Sequence, residues 1–176
     1  MSDEPLSKRW YKELFGVRRS IRYNARRRAF FDRLDQTTNM LAVIFGSTAV
    51  YGVLDADQHA VALVASGAVT IISAVNLVVG SSQRARKHDD FARQFSALER
   101  DMVGDESEEK LAQMKRRRLE IEAEEPPVMH VLNCICHNEQ MRSEGYDRED
   151  LAKIRWWQRL FSQIIDLRED LIHSGA

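Results

Sequence analysis

Two long stretches of the chain carry no charged side chain. Residues 37–54 read TTNMLAVIFGSTAVYGVL, and residues 60–80 read AVALVASGAVTIISAVNLVVG. As α-helices they would be about 27 Å and about 31 Å long, against about 30 Å of hydrocarbon in a bilayer. A helix in a soluble bundle needs only an apolar stripe, and neither stretch has a polar face. The pattern therefore predicts a transmembrane hairpin of two helices.

A soluble oligomer that buries both stretches between its subunits is the alternative interpretation. Several polar side chains in the first stretch keep that alternative open: Thr37, Thr38, Asn39, Ser47 and Thr48. An uncharged segment of this length marks a candidate span without proving one. The two interpretations differ in whether lipid or a second copy of the chain covers the apolar surface.

The charges beside the two stretches predict an orientation in the membrane. Residues 55–59, which join them, contain acidic side chains and no lysine or arginine. Basic residues instead cluster in the two sequence flanks. They are Arg18, Arg19, Arg22, Arg26, Arg27, Arg28 and Arg33 before the first stretch and Arg84, Arg86, Lys87 and Arg93 after the second. The positive-inside rule then predicts a multi-pass protein of the inner membrane with both termini in the cytoplasm. The basic face of residues 8–35 would rest on anionic headgroups, or would be the outer face of an ordinary bundle helix.

Small residues recur at helical spacing inside the uncharged stretches. The second stretch has an i, i+4 ridge formed by Ala62, Ser66, Thr70 and Ala74. Gly46 follows Ala42 at the same spacing in the first stretch. Such ridges let helix backbones approach closely in lipid, where packing drives association. The ridge predicts contact between helices.

Polar side chains occupy about a third of the circumference of the second stretch. They are Ser66, Thr70, Ser73 and Asn76. Hydroxyl groups on such a stripe can hold packed helices together, or can line a pore in an oligomer. A carboxamide such as that of Asn76 needs a partner in lipid.

The rest of the chain shows the periodicity of amphipathic helices. Helices are predicted over residues 8–35, 81–103, 108–125 and 128–143, and over a last segment from residue 147 to 171. The fold class is therefore all-α. We expect a basic juxtamembrane helix over residues 1–36, the hairpin over residues 37–80 and a cytoplasmic helical bundle over residues 81–176.

Apolar stripes on these helices predict the core of the bundle. One stripe consists of Phe91, Phe95, Leu98 and Met102. A continuous stripe on the last helix consists of Leu151, Ile154, Trp157, Leu160, Phe161, Ile164, Leu167 and Leu171. Stripes of this kind are more typical of a core than of a ligand site. The Trp156–Trp157 pair would serve as a partner surface if the protein is an anchor.

The chain has a mean hydropathy of -0.43 and a net charge of -1. These averages do not show that charged and apolar residues occupy different segments. The side chains of the two cysteines, Cys134 and Cys136, point well apart on one predicted helix, which disfavours a disulfide between them and favours a reduced cytoplasmic setting. The polar first ten residues do not resemble a signal peptide.

One cluster of metal-ligand residue types lies on a single predicted helix, namely His130, Cys134, Cys136 and His137. Cys134 and Cys136 point about 200° apart on a helix, whereas zinc needs convergent ligands. Buried cysteines packing in a bundle are the favoured interpretation. No catalytic signature is present, so no catalytic residue, metal or cofactor is expected, and no nucleic-acid partner is expected either.

The order of parts resembles the SLATT proteins, two-transmembrane effector domains of bacterial and prophage conflict systems. The residues that carry the resemblance are Arg22-Tyr23-Asn24-Ala25-Arg26-Arg27-Arg28, Glu125-Pro126-Pro127 and Cys136-His137-Asn138-Glu139, together with the two uncharged stretches. The resemblance implies an effector that oligomerises in the bilayer and opens a pore when a sensor fires, the sensor being a separate chain. The family has no settled catalytic residues to carry over.

Three hypotheses follow from these patterns. The first is a membrane-embedded homo-oligomer that forms a pore. The second is a non-enzymatic membrane anchor, or a soluble oligomer that hides its apolar stretches. The third is an enzyme or metal protein that uses the histidines and cysteines of residues 130–137.

Overall fold

A computed structural model describes residues 4–54, 59–166 and 172 of the chain. Its regular elements are six α-helices and a short 3₁₀ helix, and no strand occurs within the described residues. The α-helices are α1 (Leu6–Leu54), α2 (His59–Val79), α3 (Ser81–Asp101), α4 (Glu108–Glu124), α5 (His130–Ser143) and α6 (Trp156–Phe161). The 3₁₀ helix is Arg148–Asp150. The predicted all-α class is confirmed for these residues.

The chain divides into two compact units. The first, here called the bundle unit, contains Met1–Arg27 and His88–Ala176. The second, here called the apolar unit, contains Arg28–Lys87. This grouping differs from the three consecutive segments expected from the sequence, because the first part of α1 belongs with helices that follow more than 60 residues later.

The core of the bundle unit is built from apolar stripes on α1, α3 and α4. Its buried members are Trp10, Val17, Phe91, Phe95, Leu98, Met102, Leu111, Met114 and Ile121. The predicted stripe on α3 is therefore confirmed as core, with Phe95 and Leu98 fully buried. Leu119 on α4 is 61% exposed, and residues 115–117 are exposed as well, whereas Arg118 pairs with Glu13 of α1 at 3.0 Å.

A smaller buried cluster connects α1 to α5. Tyr23, Leu132 and Cys136 form it, and Met129 packs against it. The Tyr23 hydroxyl oxygen accepts a hydrogen bond of 3.0 Å from the Met129 backbone N–H, just before α5 begins. An N–H at a helix start has no intrahelical acceptor, so Tyr23 fixes the position of α5 as well as packing in the cluster.

Local signals explain where α4 begins and ends. The Ser107 hydroxyl oxygen accepts a hydrogen bond of 3.2 Å from the Lys110 N–H, as a helix N-cap does. Glu125 is already extended, and Pro126 and Pro127 follow it without a backbone donor. These residues confirm the predicted break before α5.

The predicted last helix is wrong in extent. Residues 151–155 have no helical structure, and α6 contains only Trp156–Phe161. Leu160 is 64% exposed and Ile164 is 63% exposed, so the predicted stripe is not bundle core at these positions. Leu167 and Leu171 lie outside the described residues. The Ala152 backbone forms hydrogen bonds with the Asn138 side chain instead, which accounts for the break.

Gly80 ends α2 in the left-handed region, with a φ of 60°. Its N–H donates to the Asn76 carbonyl oxygen at 2.9 Å, and its own carbonyl oxygen accepts from Gln83 and Arg84 at 3.0 Å each. Glycine is favoured here because a side chain at this φ meets its own backbone. The apolar helix α2 and the charged helix α3 are thereby separate elements joined by one residue.

Candidate functional site

The apolar unit exposes an unusual amount of apolar surface. On α2, Leu63, Val64, Leu77 and Val78 are each at least 73% exposed. The other large exposed apolar side chains of this unit are Met40, Val43, Ile44, Val50, Tyr51, Val53, Val61, Ile71 and Val75. Soluble monomers rarely expose contiguous apolar patches beyond a few hundred Å². This surface therefore requires lipid or protein to cover it.

One described helical stretch is long and apolar enough to cross a membrane. It is His59–Asp101, whose most apolar window has a mean hydropathy of 2.1 and is 11% buried. The core helix of a soluble protein passes the same test of length and composition, but is mostly buried. Within the described residues α1 does not pass, and Thr37, Thr38 and Asn39 are the polar residues that open its uncharged stretch. The loop residues 55–58, on which the predicted orientation also depends, lie outside the described residues.

The predicted small-residue ridge is divided between two environments. Ala62 is buried at 6% exposure, whereas Ser66, Thr70 and Ala74 are exposed. Gly46 on α1 has open space where a Cβ would stand. Only the first residue of the ridge is therefore covered within a single chain.

The least exposed positions of α2 form their own stripe. Ala68 is also partly covered, and the members of the stripe are Ala62, Ala65, Val69, Ile72, Asn76 and Val79. Their spacing alternates between three and four residues, which is typical of a helix–helix seam. Ser66, Thr70 and Ser73 lie on the neighbouring face and are exposed. The polar stripe predicted from the sequence is thus split, with Asn76 on the seam and the other three beside it.

Several hydroxyl groups in the uncharged stretches of α1 and α2 donate to the backbone of their own helix. Thr70 Oγ1 donates to the Ser66 carbonyl oxygen at 2.9 Å. In α1, Ser47 and Thr48 donate to the carbonyl oxygens of Val43 and Ile44 at 2.9 and 3.0 Å. Such bonds remove the cost of placing a hydroxyl hydrogen in an apolar medium. The polar residues that lower the hydropathy of α1 are therefore compatible with lipid.

The side-chain oxygen of Asn76 has no such hydrogen bond. Its Oδ1 atom is buried and accepts no hydrogen bond from the described residues. Asn76 lines an open cavity of about 340 Å³, together with Asp35, Ser73, Leu77, Gly80, Ser81, Ser82 and Gln83. A buried carboxamide oxygen without a donor costs about 1–3 kcal/mol, which marks this end of α2 as incompletely satisfied.

Several predicted membrane-surface arginines make contacts inside the bundle unit. Arg18 Nε donates to Glu99 at 2.7 Å, and Arg22 Nε donates to Gln140 Oε1 at 2.7 Å. Arg26 forms an ion pair with Glu139. Arg27 Nη1 donates to the Gln163 carbonyl oxygen at 2.6 Å. These arginines connect α1 to α3, α5 and the residues after α6.

The remaining predicted surface cations differ from one another. Arg19 is half-buried, and burial is the main cause that lowers the pKa of its guanidinium. In the apolar unit, Arg28 pairs with Asp32 at 3.4 Å and the Arg84 guanidinium lies 5.7 Å from the centre of the Phe31 ring. Arg86 and Lys87 are exposed.

The histidines and cysteines of α5 do not converge. Among the described residues no group of three or more metal-ligand side chains could hold a metal ion. Cys136 is fully buried, and burial raises the pKa of its thiol to about 12. The His137 ring packs edge-on against Phe15 at 5.0 Å, and burial lowers the pKa of its imidazole. His130 is exposed. Cys136 and His137 therefore take part in the packing of α5 against α1.

A buried polar network that sequence analysis missed joins α1 to α3. Asn24 is fully buried, and its Oδ1 lies 2.8 Å from His88 Nδ1. Its Nδ2 donates to Glu125 Oε1 at 2.6 Å and to the Ser20 carbonyl oxygen at 3.1 Å. An asparagine inside a run of arginines gives one weak signal of such a role, because it interrupts the basic face.

Trp156 and Trp157 stand at the start of α6. Trp156 is 75% exposed, while Trp157 is half-buried. Leu160, Phe161, Ile164 and Ile165 are exposed beside them in sequence. The predicted partner surface is therefore accessible at Trp156 and continues along the chain as an apolar surface.

No family model, no curated protein and no solved structure matches the chain.

Proposed function

We propose that the protein is a membrane-embedded, homo-oligomeric pore-forming effector of a bacterial or prophage defence system. The observation that carries this proposal is the exposure of α2, whose Leu77 and Val78 are 85% and 82% exposed on a single chain. At about 25 cal/mol per Å² of apolar surface, leaving such a helix in water is strongly unfavourable. A bilayer covers the surface without any further protein.

The two stripes on α2 support an oligomeric assembly within the membrane. The half-buried seam that contains Ala62 and Ala65 fits packing against the second half of α1, as the hairpin requires. The row of Ser66, Thr70 and Ser73 remains uncovered on a neighbouring face. In a cyclic homo-oligomer this row would face the axis and line an aqueous pore. The SLATT resemblance predicts the same behaviour, with a separate protein as sensor.

The location follows from the distribution of charge. We propose the inner membrane, with both termini in the cytoplasm and the bundle unit on that side. The exposed cation Arg86 can face anionic headgroups, whereas Arg18, Arg22 and Arg26 hold the bundle together. The membrane-surface role is therefore strongest after α2.

Fractionation of expressing cells tests the membrane assignment. The protein should stay in the membrane pellet through high salt and alkaline carbonate and should leave it only in detergent. Release without detergent would contradict the assignment and would support a soluble oligomer that buries residues 37–80 between its subunits.

Leakage from reconstituted vesicles tests the pore. A variant with Ser66→Leu, Thr70→Leu and Ser73→Leu should insert normally but lose dye leakage, because the proposed pore wall becomes apolar. A matched variant with Val64→Leu, Ile71→Leu and Val78→Leu alters the lipid-facing side and should leak like the wild type. Equal leakage from both variants would rule out this row as the pore wall.

A membrane anchor is the second candidate function. The exposed Trp156 and Leu160 favour it, because a partner could dock on them. An anchor would insert without causing leakage, and a partner recovered from the native host with wild-type protein would be lost with Trp156→Ala.

A further inference from the structure

A strongly basic cavity lies in the bundle unit. Its volume is about 760 Å³. It is lined by Asn138, Arg142, Arg148, Leu151, Ala152, Lys153, Ile154, Arg155 and Arg159. The lining comes from α5, the 3₁₀ helix, the extended residues 151–155 and α6, which follow one another along the chain and fold back on each other there.

Among the described residues, the side chains that line the cavity carry positive charge only. The five basic side chains are Arg142, Arg148, Lys153, Arg155 and Arg159, and no carboxylate of the described residues lines the cavity. Within the described part of the chain these five make no ion pair, in contrast to Arg18 and Arg26 on α1. Like charges gathered around one concave surface repel each other and attract an anion.

Hydrogen bonds between Asn138 and Ala152 fix the backbone of one wall of the cavity. Asn138 is 5% exposed, and its Nδ2 donates to the Ala152 carbonyl oxygen at 2.7 Å. The Ala152 N–H donates in turn to Asn138 Oδ1 at 3.0 Å. The segment that carries Lys153 and Arg155 therefore has a fixed backbone. Leu151 and Ile154 add apolar surface between the cations.

We infer that this cavity binds a phosphate-bearing anion. Arginine presents a planar fork of N–H donors that matches phosphate oxygens, and four of the five cations are arginines. Leu151, Ala152 and Ile154 supply the apolar part of the lining, and apolar side chains are also found in sites for small organic ligands. The phosphate can belong to a free compound such as a nucleotide or to the headgroup of an anionic lipid. This binding function goes beyond the proposed pore and does not depend on it.

The test uses the full-length protein purified in a non-ionic detergent. Binding of pyrophosphate and ATP is measured by calorimetry, and binding of phosphatidylglycerol is measured in nanodiscs against phosphatidylcholine alone. Arg148→Gln with Arg159→Gln should weaken binding at least about tenfold, since one hydrogen bond to a charged group is worth about 1.5–3 kcal/mol. Arg116→Gln, an exposed arginine of α4, is the matched control and should bind like the wild type.

The two arms separate the sources of phosphate. Binding of pyrophosphate or ATP alone indicates a free ligand, and binding only to phosphatidylglycerol indicates a headgroup. Chemical protection tests the same site without a mutation. Pyrophosphate or anionic lipid should slow the modification of Arg148 and Arg159 by phenylglyoxal, measured by mass spectrometry of the peptides. The modification of Arg116 should be unchanged. The inference is overturned if neither arm shows binding, or if the double variant binds as tightly as the control.

Discussion

The Asn138 carboxamide and the Ala152 peptide group exchange two hydrogen bonds, of 2.7 and 3.0 Å. A side chain thereby pairs with a backbone as a neighbouring strand would. Leu151 and Arg155 on either side are extended, with ψ angles of 139° and 154°. The pairing keeps residues 151–155 out of the helix that their apolar periodicity predicts, and α6 begins only at Trp156.

Removing this carboxamide should loosen the segment. We expect Asn138→Ala to lower the free energy of unfolding by about 1–3 kcal/mol, because buried polar partners lose their hydrogen bonds. Hydrogen exchange at the Ala152 amide should become faster. Asn133→Ala, on the same helix, is the control, since the Asn133 side chain has no hydrogen-bond partner among the described residues. Unchanged exchange at Ala152 in Asn138→Ala would show that the segment is held by other contacts.

Two alanines of the same ridge should respond differently to enlargement. Ala62→Leu adds volume at a position that is 6% exposed and should cost about 1–3 kcal/mol of stability in detergent. Ala74→Leu lies on an exposed face, so it should leave the melting temperature unchanged and alter only the size of any oligomer. Thermal unfolding and light scattering measure the two effects. A larger loss of melting temperature for Ala74→Leu would contradict the division of the ridge.

The two cysteines should differ sharply in reactivity. Cys136 is fully buried with a thiol pKa raised to about 12, whereas Cys134 is half-buried. Because the thiolate is the reactive form, N-ethylmaleimide at pH 8 should modify Cys134 in the native protein and leave Cys136 intact. Mass spectrometry of the peptides measures this, and denatured protein, in which both should react, is the control. Rapid native labelling of Cys136 would mean that α5 opens readily from α1.

Glu125 should make stability depend on pH. Burial raises the pKa of this carboxyl above its ordinary value of 4.5, although the hydrogen bond from Asn24 lowers it in part. The folded state therefore binds the proton more tightly than the unfolded state. The resulting stability is complete below about pH 4.5 and is lost as the pH rises through the folded pKa.

Glu125→Gln tests this sign directly. The amide keeps an acceptor for Asn24 and carries no charge, so the variant should melt at a higher temperature than wild type at pH 7. The difference should disappear towards pH 4. Glu124→Gln, on the exposed neighbouring residue, should show no such dependence. A lower melting temperature for Glu125→Gln than for the wild type at pH 7 would mean that the folded protein favours the charged carboxylate of Glu125 over a neutral group.

Sequence periodicity predicted the core helices because their packing follows the local pattern. Phe91, Phe95 and Leu98 recur at helical spacing and are buried, as such a stripe requires. The prediction of the last helix was wrong because Asn138, more than ten residues away, supplies an alternative hydrogen-bond partner for the Ala152 backbone. Periodicity contains no information about such a partner.

The arginines of α1 show the same limit for the candidate site. A basic cluster beside an apolar stretch predicts contact with headgroups, and the sequence offers no sign that Arg18 meets a carboxylate 81 positions away. The basic cavity was missed for a related reason. Its cations come from α5, the 3₁₀ helix, residues 153–155 and α6, and only the fold gathers them.

The hydroxyl hydrogen of Thr70 points at the Ser66 carbonyl oxygen, 2.9 Å away, so what this side chain offers outward is oxygen lone pairs. Any group that approaches it must bring a donor hydrogen or a positive charge. The exposed row on α2 thus acquires an electronegative character at Thr70 although it contains no acidic residue. At Thr70 the backbone of α2 takes up the hydroxyl hydrogen and leaves the oxygen facing out, so this position accommodates a cation more readily than an anion.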